Sequence, residues 1–399
     1  MPTALAPSLQ NSNAQKKLGL YIHFPFCAYK CGYCDFNSWI ETQVDPQRQW
    51  LSGIQNEILF WKQQGLASFH VDTLFMGGGT PSLLDEGIWF ELVDFIKKNI
   101  IFDSKLEWTV ECNPETITPR LLENFHKSGV NRLSLGIQSF KDKFLKRLER
   151  GASFEKNRES LRLISETWPG RWSFDLMFGL PEQNINEWRE DLLEALSFNP
   201  KHISAYQLTL TTEKSKRWLQ PIEEDLLEAY RETRNVLGSA GLLPYEVSNF
   251  SVEGEESRHN LKYWRAEAFL GLGPGAYALI PNELLDSVSI DKLYPHKSFF
   301  GAHLKNPSRF EEWLNSTNNP LGLKTLEFRD SKIHATELLL VGLRLEKGIE
   351  RSFFPKDVDL SKLQKLSDCI TLTDTHVLAT PRGREILDTT ILHASEILF

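Results

Sequence analysis

Short apolar segments alternate with longer amphipathic segments six times between Leu18 and about Leu210. The short segments have the composition of buried strands, and the long ones have the periodicity of helices. Such repeats predict parallel strands joined by right-handed helical crossovers. Six repeats are two short of a closed eight-stranded barrel, so the pattern predicts an α/β fold with an open, partial, TIM-like (β/α)6 barrel. The predicted strands are Leu18–Phe24, Thr73–Met76, Trp108–Glu111, Arg132–Ile137, Ser173–Phe178 and Ile203–Leu208.

The remaining segments differ in pattern and predict a second, smaller unit. Residues 1–16 are rich in Ala, Pro, Ser, Asn and Gln, a composition typical of a disordered leader. We expect the partial barrel to cover residues 17–245 and a connecting region to cover residues 246–325. Residues 326–399 combine an apolar helix with a short strand-turn-strand, and they predict a smaller α+β, winged-helix-like domain.

The composition is that of an ordinary soluble globular protein, with 41% hydrophobic and 25% charged residues. The net charge of −8 weighs against nucleic acid as the main partner. The sequence contains neither an apolar stretch of transmembrane length nor a signal peptide. Five cysteines, three of them close together, do not resemble a disulfide framework. We therefore expect a cytoplasmic protein whose thiols stay reduced.

Three of the cysteines follow the first predicted strand with the spacing C-x3-C-x2-C, at Cys27, Cys31 and Cys34. Three thiolates in one loop are soft ligands suited to an iron–sulfur cluster or to zinc. A closed structural zinc site would need a fourth ligand nearby, and none follows at a CxxC or HxxxH spacing. The pattern indicates a metal centre with one coordination position left open for another group.

Polar and glycine-rich motifs follow the other predicted strands at the point where each strand ends. Gly77–Pro81 follows the second strand, Glu111 ends the third, and Gln138 ends the fourth. Asp175 lies in the fifth strand, just before a Gly-Leu-Pro turn. The carboxyl ends of parallel strands meet at one rim, where the active sites of such folds lie. These side chains are therefore expected to converge on the cysteine loop, although each alone could be an ordinary strand-end residue.

Together these motifs resemble the radical SAM superfamily: C-x3-C-x2-C after strand one, Tyr33 before the last cysteine, and a glycine-rich second loop. The resemblance implies a [4Fe–4S] cluster held by the three cysteines, with its fourth iron binding S-adenosylmethionine. Reduction of such a cluster cleaves the sulfonium to a 5′-deoxyadenosyl radical. By the same resemblance, the residues that bind these cofactors are Tyr21, Tyr33, Gly78, Gly79, Thr80, Glu111, Gln138, Arg150 and Asp175.

Within the superfamily, the chain resembles the oxygen-independent coproporphyrinogen III oxidase family, which has two branches. The oxidase branch carries a fourth cysteine two residues after the third, and this sequence has Phe36 there. The HemW branch of haem chaperones lacks that cysteine and carries H-N-x-x-Y-W, which matches His259–Trp264. The resemblance favours the haem-chaperone branch. It implies that haem contacts His259, Asn260, Tyr263 and Trp264.

That branch also implies partners. They are haem, client haem proteins that include membrane-associated ones, and an electron donor of the flavodoxin or ferredoxin type. Whether the protein is a monomer or a dimer stays open at this point.

Two other functions remain as alternatives. The first is an anaerobic coproporphyrinogen III oxidase, which decarboxylates propionate side chains oxidatively in porphyrin biosynthesis. The second is a zinc-stabilised binding module, in which Cys112 or a histidine completes the cysteine site. For His259 a purely structural role beside Tyr263 and Trp264 is also open, because a single histidine among aromatic residues is more often structural than a ligand.

Overall fold

The computed structural model describes residues 16–210, 221–285, 299–322 and 326–399. The predicted leader, apart from Lys16, lies outside the described residues. Among the described helices, none combines the length and the apolar character needed to cross a bilayer.

The strands, in chain order, are β1 Lys17–Phe24, β2 Phe26–Cys27, β3 Trp39–Ile40, β4 His70–Gly78, β5 Phe102–Cys112, β6 Arg132–Gln138, β7 Arg171–Phe178, β8 His202–Gln207, β9 Leu243–Pro244, β10 Asn249–Ser251, β11 Phe269–Leu272, β12 Tyr277–Ile280, β13 Ala302–Lys305, β14 Leu326–Phe328, β15 Ile349–Glu350, β16 Ile370–Leu372 and β17 His376–Ala379.

The helices are α1 Val44–Gln63, α2 Glu86–Asn99, α3 Pro119–Ser128, α4 Asp142–Arg147, α5 Phe154–Thr167, α6 Ile185–Leu196, α7 Glu223–Ser239, α8 Arg258–Trp264, α9 Asn282–Leu285, α10 Phe310–Ser316, α11 Ser331–Gly342, α12 Pro381–Glu385 and α13 Leu387–Leu398.

Six parallel strands, β1 and β4 to β8, hydrogen-bond side by side in chain order and form the centre of the sheet. Their residues are buried on both faces, as expected for a parallel sheet covered by helices. Side-chain caps begin several of the crossover helices, among them Asp85 for α2 and Ser153 for α5. The sheet does not close on itself, which confirms the predicted open barrel.

Strand β11 pairs in parallel with the other edge of β1, so β1 is an interior strand rather than the edge of the sheet. Strands β12, β13 and β14 then continue the sheet in antiparallel order. At the opposite end, β10 pairs antiparallel with β8. Residues 246–325 therefore add strands to both sides of the barrel. The sequence pattern does not indicate this, because the Leu-Gly-Leu-Gly stretch that includes β11 is also typical of a turn.

The C-terminal residues form an α+β unit, as predicted, with a core of its own. A three-stranded antiparallel sheet in the order β15-β17-β16 packs with helices α11 and α13 around residues such as Leu339 and Val377. Polar contacts join this unit to the barrel. Glu346 of this unit accepts from Arg234 of α7 at 2.7 Å, and the Arg344 guanidinium lies 5.9 Å from the Trp264 ring centre.

Helix α10 packs against α1 through a glycine contact. A Cβ added at Gly53 would lie 2.3 Å from the indole ring of Trp313, which is fully buried.

We expect Gly53→Ala to lower the free energy of unfolding by about 1–3 kcal/mol, because the ring has no space into which to move. The matched control is Gly238→Ala in α7, where nothing lies within 4 Å of the added Cβ. That change should raise stability by roughly 0.5–1 kcal/mol. Urea denaturation of both variants measures the difference, and equal effects would contradict the packing argument.

Candidate active site at the carboxyl ends of the strands

The cysteine loop leaves strand β2 and covers the carboxyl ends of the parallel strands. Its backbone turns between Cys31 and Cys34, where the Cys34 N–H donates to the Cys31 carbonyl at 3.2 Å. The Gly32 N–H donates to the Leu148 carbonyl at 3.1 Å and ties the loop to the end of α4. The Lys30 ammonium donates to the Phe36 carbonyl at 2.7 Å. These bonds hold the three cysteines beside a cleft of about 170 Å³.

Most of the predicted site residues line this one cleft. They are Cys27, Cys31, Tyr33, Cys34, Gly78, Gly79, Thr80, Glu111, Gln138, Arg150 and Asp175. A second cavity of about 270 Å³ lies inside the barrel and shares Gly78, Glu111 and Asp175 with the cleft. Tyr21, Asn260 and Tyr263 line that second cavity.

The glycine-rich loop after β4 packs directly against the end of β1. Gly78 has a φ of +110°, and a Cβ there would lie 2.4 Å from the His23 ring. The Gly79 and Thr80 amides donate to the Phe24 and Phe26 carbonyls at 2.6 and 2.8 Å. Glycine is needed here because this loop lies directly against the end of β1 and the residues that follow it. The resemblance to the family implies a different reason, a close approach of the backbone to a ligand. Both glycines still line the cleft.

His23, in strand β1, stays neutral and links that strand to the cysteine loop. Its Nδ1 and the Tyr21 hydroxyl are 2.9 Å apart, and its Nε2 lies 2.8 Å from the Asn37 carbonyl. Burial lowers the pKa of His23 to about 4. The ring therefore bridges strand β1 and the cysteine loop at neutral pH without carrying charge.

Arg150 places a buried cation next to the cysteines. Its guanidinium donates to the Cys31 thiol at 3.5 Å and to the Asn113 side-chain oxygen at 3.1 Å. It also donates to the Gly136 carbonyl, while its Nε, although buried, has no hydrogen-bond partner among the described residues. Burial raises the pKa of Cys31, and the Arg150 charge opposes that shift. The Arg150 charge thus only partly offsets the effect of burial on Cys31, and its Nε is left as a donor for an anionic group.

Two carboxylates face the cleft from strands β5 and β7, which flank β6. Glu111 accepts from the Gly78 amide at 3.0 Å, and burial raises its pKa to about 7. Burial also raises the pKa of Asp175 to about 6, against hydrogen bonds from Ser204 and Ser134 that favour the ionised form. No lysine or arginine pairs with Glu111 among the described ion pairs. A bound cationic group would therefore stabilise its charge.

Gln138 reaches the cleft through an unusual backbone conformation. It has a φ of +69°, in the left-handed region, where the register of β6 shifts against β7. The next residues are fixed by a buried carboxylate, since Asp191 accepts from the Ser139 hydroxyl at 2.6 Å and from the Phe140 amide at 3.0 Å. Asn157 donates to the Ser139 carbonyl at 3.0 Å. The hydrogen bonds of Ser139 and Phe140 thus hold Gln138 in its strained backbone conformation.

The predicted haem residues do not form one surface. His259 is fully buried, its Nδ1 lies 2.8 Å from the Thr73 hydroxyl, and its Nε2 lies 2.7 Å from the Tyr263 hydroxyl. Its ring also stacks on Phe75, and burial lowers its pKa to about 3. Both ring nitrogens are engaged, so in this conformation His259 has none to offer to an iron. Trp264 lies on the other side of α8 against Arg344 of the C-terminal unit.

Several site residues were missed in the sequence analysis. Asn113 joins Arg150 to Thr80, because its amide donates to the Thr80 hydroxyl at 3.1 Å. Tyr206 of β8 lines both the cleft and the interior cavity, as does Ser134 of β6. The sequence signal for Asn113 is the Asn-Pro pair at the end of β5. Tyr206 had no such signal beyond its place near the end of an apolar strand.

The donor set fits a cluster better than a single ion. In the part of the chain that the structure describes, no three Cys, His, Asp or Glu side chains gather closely enough to hold one metal ion. A cluster does not require this, because each cysteine binds a different iron. Cys112 also lines the cleft, but it belongs to strand β5 rather than to the cysteine loop, and its thiol donates to the Val110 carbonyl at 3.7 Å.

The comparisons with known proteins identify the class. Residues 21–195 match the Radical SAM superfamily, a range that runs from within β1 to within α6 and includes every cleft residue named above except Tyr206. In fold, the chain is similar to the Escherichia coli coproporphyrinogen III oxidase (HemN), described as a radical SAM enzyme. The TM-score is 0.77 and the identity 19%, over 96% of this chain and 90% of that one. The protein is a radical SAM protein.

Sequence similarity places the chain within that class. It is 33% identical over 364 residues to the heme chaperone HemW of Buchnera aphidicola subsp. Schizaphis graminum, covering 86% of this chain and 93% of that protein. It is 36% identical over 270 residues to the heme chaperone HemW of Escherichia coli K12, covering 66% and 70%. The chain belongs to the HemW family.

The cluster assignment leads to a prediction on iron content. Cys27→Ser, Cys31→Ser and Cys34→Ser should each lower the iron bound after anaerobic reconstitution by more than half, because each removes one thiolate ligand. Cys369→Ser is the matched control, since that cysteine lies in the C-terminal unit and is expected to leave iron binding unchanged. Iron and sulfide analysis of the four variants measures this. Full iron content in any of the first three would remove that cysteine from the ligand set.

Proposed function

We propose that this protein binds haem and delivers it to client haem proteins, with a [4Fe–4S] cluster and S-adenosylmethionine as resident cofactors. The observation that carries the proposal is the similarity to heme chaperone HemW over 86% of the chain. Phe36 supports it, because it occupies the position where the oxidase branch has a fourth cysteine.

In this proposal Cys27, Cys31 and Cys34 hold the cluster at the mouth of the cleft. S-adenosylmethionine bound to the open iron supplies a 5′-deoxyadenosyl radical on reduction. The chain's own residues bind and orient that cofactor. The Arg150 guanidinium suits a carboxylate, Glu111 and Asp175 suit an ammonium or ribose hydroxyls, and Thr80 is oriented through Asn113. The remaining proposed contacts are Tyr21, Tyr33, Gly78, Gly79 and Gln138.

For haem, the motif in α8 is proposed to act through Tyr263 and Asn260. His259 holds the Tyr263 hydroxyl at 2.7 Å and packs edge-on against its ring, so it acts as a positioning residue. Direct ligation of haem iron by His259 requires that the bond to Thr73 or to Tyr263 be broken. Trp264 contacts Arg344, and we propose that this contact couples the α8 motif to the C-terminal unit.

The proposal extends to partners, location and domain limits. The partners are client haem proteins, including membrane-associated ones, and an electron donor of the flavodoxin or ferredoxin type. We place the protein in the cytoplasm, as a monomer or dimer, with no nucleic-acid partner. The division into residues 17–245, 246–325 and 326–399 is likewise our proposal.

A single experiment separates this function from the main alternative. The anaerobically reconstituted protein is incubated with haem, and separately with coproporphyrinogen III, reductant and S-adenosylmethionine. We expect a haem absorption band and no protoporphyrinogen. Accumulation of protoporphyrinogen would instead support the oxidase, which shares the fold over 96% of the chain.

Glu111 gives the cofactor site a pH dependence. Because burial holds its pKa at about 7, the ionised fraction rises about tenfold from pH 6 to pH 8. If the carboxylate binds the cationic cofactor, affinity for S-adenosylmethionine should rise with pH over that range. Asp175, with a pKa of about 6, contributes mainly below pH 7.

Equilibrium dialysis at pH 6, 7 and 8 measures this in the wild type and in Glu111→Gln. The difference between the two proteins cancels the titration of the cofactor itself. We expect the wild-type advantage to be smallest at pH 6 and about tenfold at pH 8. A difference that is constant with pH would exclude ionised Glu111 as the contact.

A further inference from the structure

A third cavity lies beside the cluster loop, on the side of the sheet that β11 and β12 form. It shares Tyr21, Phe36 and Tyr263 with the interior cavity and Phe36 with the cleft. Its volume is about 670 Å³. Aromatic side chains dominate its lining: Tyr21, Phe36, Tyr263, Phe269 and Tyr277. Tyr263 packs edge-on against Phe269 with ring centres 4.6 Å apart, so this part of the wall is preformed.

Two of these aromatic rings are unusually exposed for their size. The exposed fraction is 63% for Phe36 and 55% for Tyr277. Large apolar side chains that border a cavity and remain in water are typical of a binding surface for an apolar partner. Flat rings are best covered by a flat apolar ligand, with which they stack.

The same wall carries a cation. Lys305 of β13 lies directly opposite Tyr277 of β12, and its ammonium is 4.9 Å from the Tyr277 ring centre. It is the one lysine or arginine in the described lining of this cavity, and Asp35 of the cysteine loop is the one carboxylate there. An aromatic wall with a lysine at one end fits a planar apolar ring that bears carboxylates at one edge.

The base of the cavity is rigidly connected to the cluster loop. The Asn37 side-chain amide donates to the Pro274 and Ser308 carbonyls, both at 3.0 Å. Gly275 has a φ of +75°, and a Cβ there would lie 2.4 Å from the Asn37 amide nitrogen. Phe36 precedes Asn37 directly, so its backbone position is set by this contact. The cavity is therefore preformed, and ligand binding is not needed to order it.

We propose that haem binds in this cavity, with its ring between Phe36 and Tyr277 and its propionates towards Lys305. The inference rests on the proposed function and specifies its binding site. The one histidine in the described lining is His23, and both of its ring nitrogens are hydrogen-bonded. Haem is thus held by ring contacts rather than by an imidazole ligand, which suits a cargo that must be released. His259 acts here by positioning Tyr263 in the wall.

The test is a haem titration of the reconstituted full chain, followed by the haem absorption band. Phe36→Ala and Tyr277→Ala should each weaken haem binding by about tenfold, and Tyr277→Phe should keep most of the affinity because the ring remains. Phe353→Ala is the matched control, since Phe353 is 44% exposed in the C-terminal unit. Iron content and the cluster spectrum are measured first for each variant, so that loss of the cluster is not mistaken for loss of haem binding.

Lys305→Gln isolates the carboxylate contact. It should weaken binding of haem about threefold and leave binding of haem dimethyl ester unchanged, since the ester lacks the propionate charges. If wild type binds haem and Phe36→Ala, Tyr277→Ala and Lys305→Gln all bind it within twofold of wild type, the cavity is the wrong site, while the proposed function stands. Failure of the wild type itself to bind haem would overturn the function and the site together.

Discussion

Two backbone hydrogen bonds hold the functional end of this protein together. They run from Gly79 and Thr80 to the carbonyls of Phe24 and Phe26, and they join the second strand-end loop to the segment that leads into Cys27. The contact requires glycine at 78 and 79, because any Cβ would meet His23 or the Phe26 carbonyl. The positions of the cysteines, of the glycine loop and of Glu111 beneath it all depend on this contact.

The charges inside the barrel are arranged for a ligand that carries both signs. Arg150, Glu111 and Asp175 all line the cleft. Burial without a cationic partner raises the pKa of Glu111 to about 7, so a ligand that brings a positive group would lower this cost. A buried carboxylate without a cationic side-chain partner among the described residues is typical of a ligand site rather than of a structural ion pair.

The sequence predicted the parts of the fold that depend on local pattern. The six parallel strands and the convergence of Glu111, Gln138 and Asp175 follow from hydrophobic periodicity and from the geometry of parallel sheets. The place of β11 beside β1 could not be predicted, because this pairing joins residues about 250 positions apart and its apolar stretch is short. The same holds for Glu57 of α1, which accepts from the Gly273 amide at 2.8 Å and from Asn306 at 2.7 Å. The hydrogen-bond partners of buried polar side chains depend on tertiary contacts, which the local spacing of residues in the sequence does not indicate.

The interior position of β1 has a consequence for the order in which the protein assembles during synthesis. Strand β1 and the cysteine loop emerge from the ribosome first, and β4 can pair with one edge of β1 soon afterwards. The other edge stays without a neighbour until β11 has been made, and Asn37 cannot reach Pro274 before then. The cysteines are thus on an open, half-built sheet for most of translation. During this interval β1 has one unpaired edge, which needs protection from aggregation.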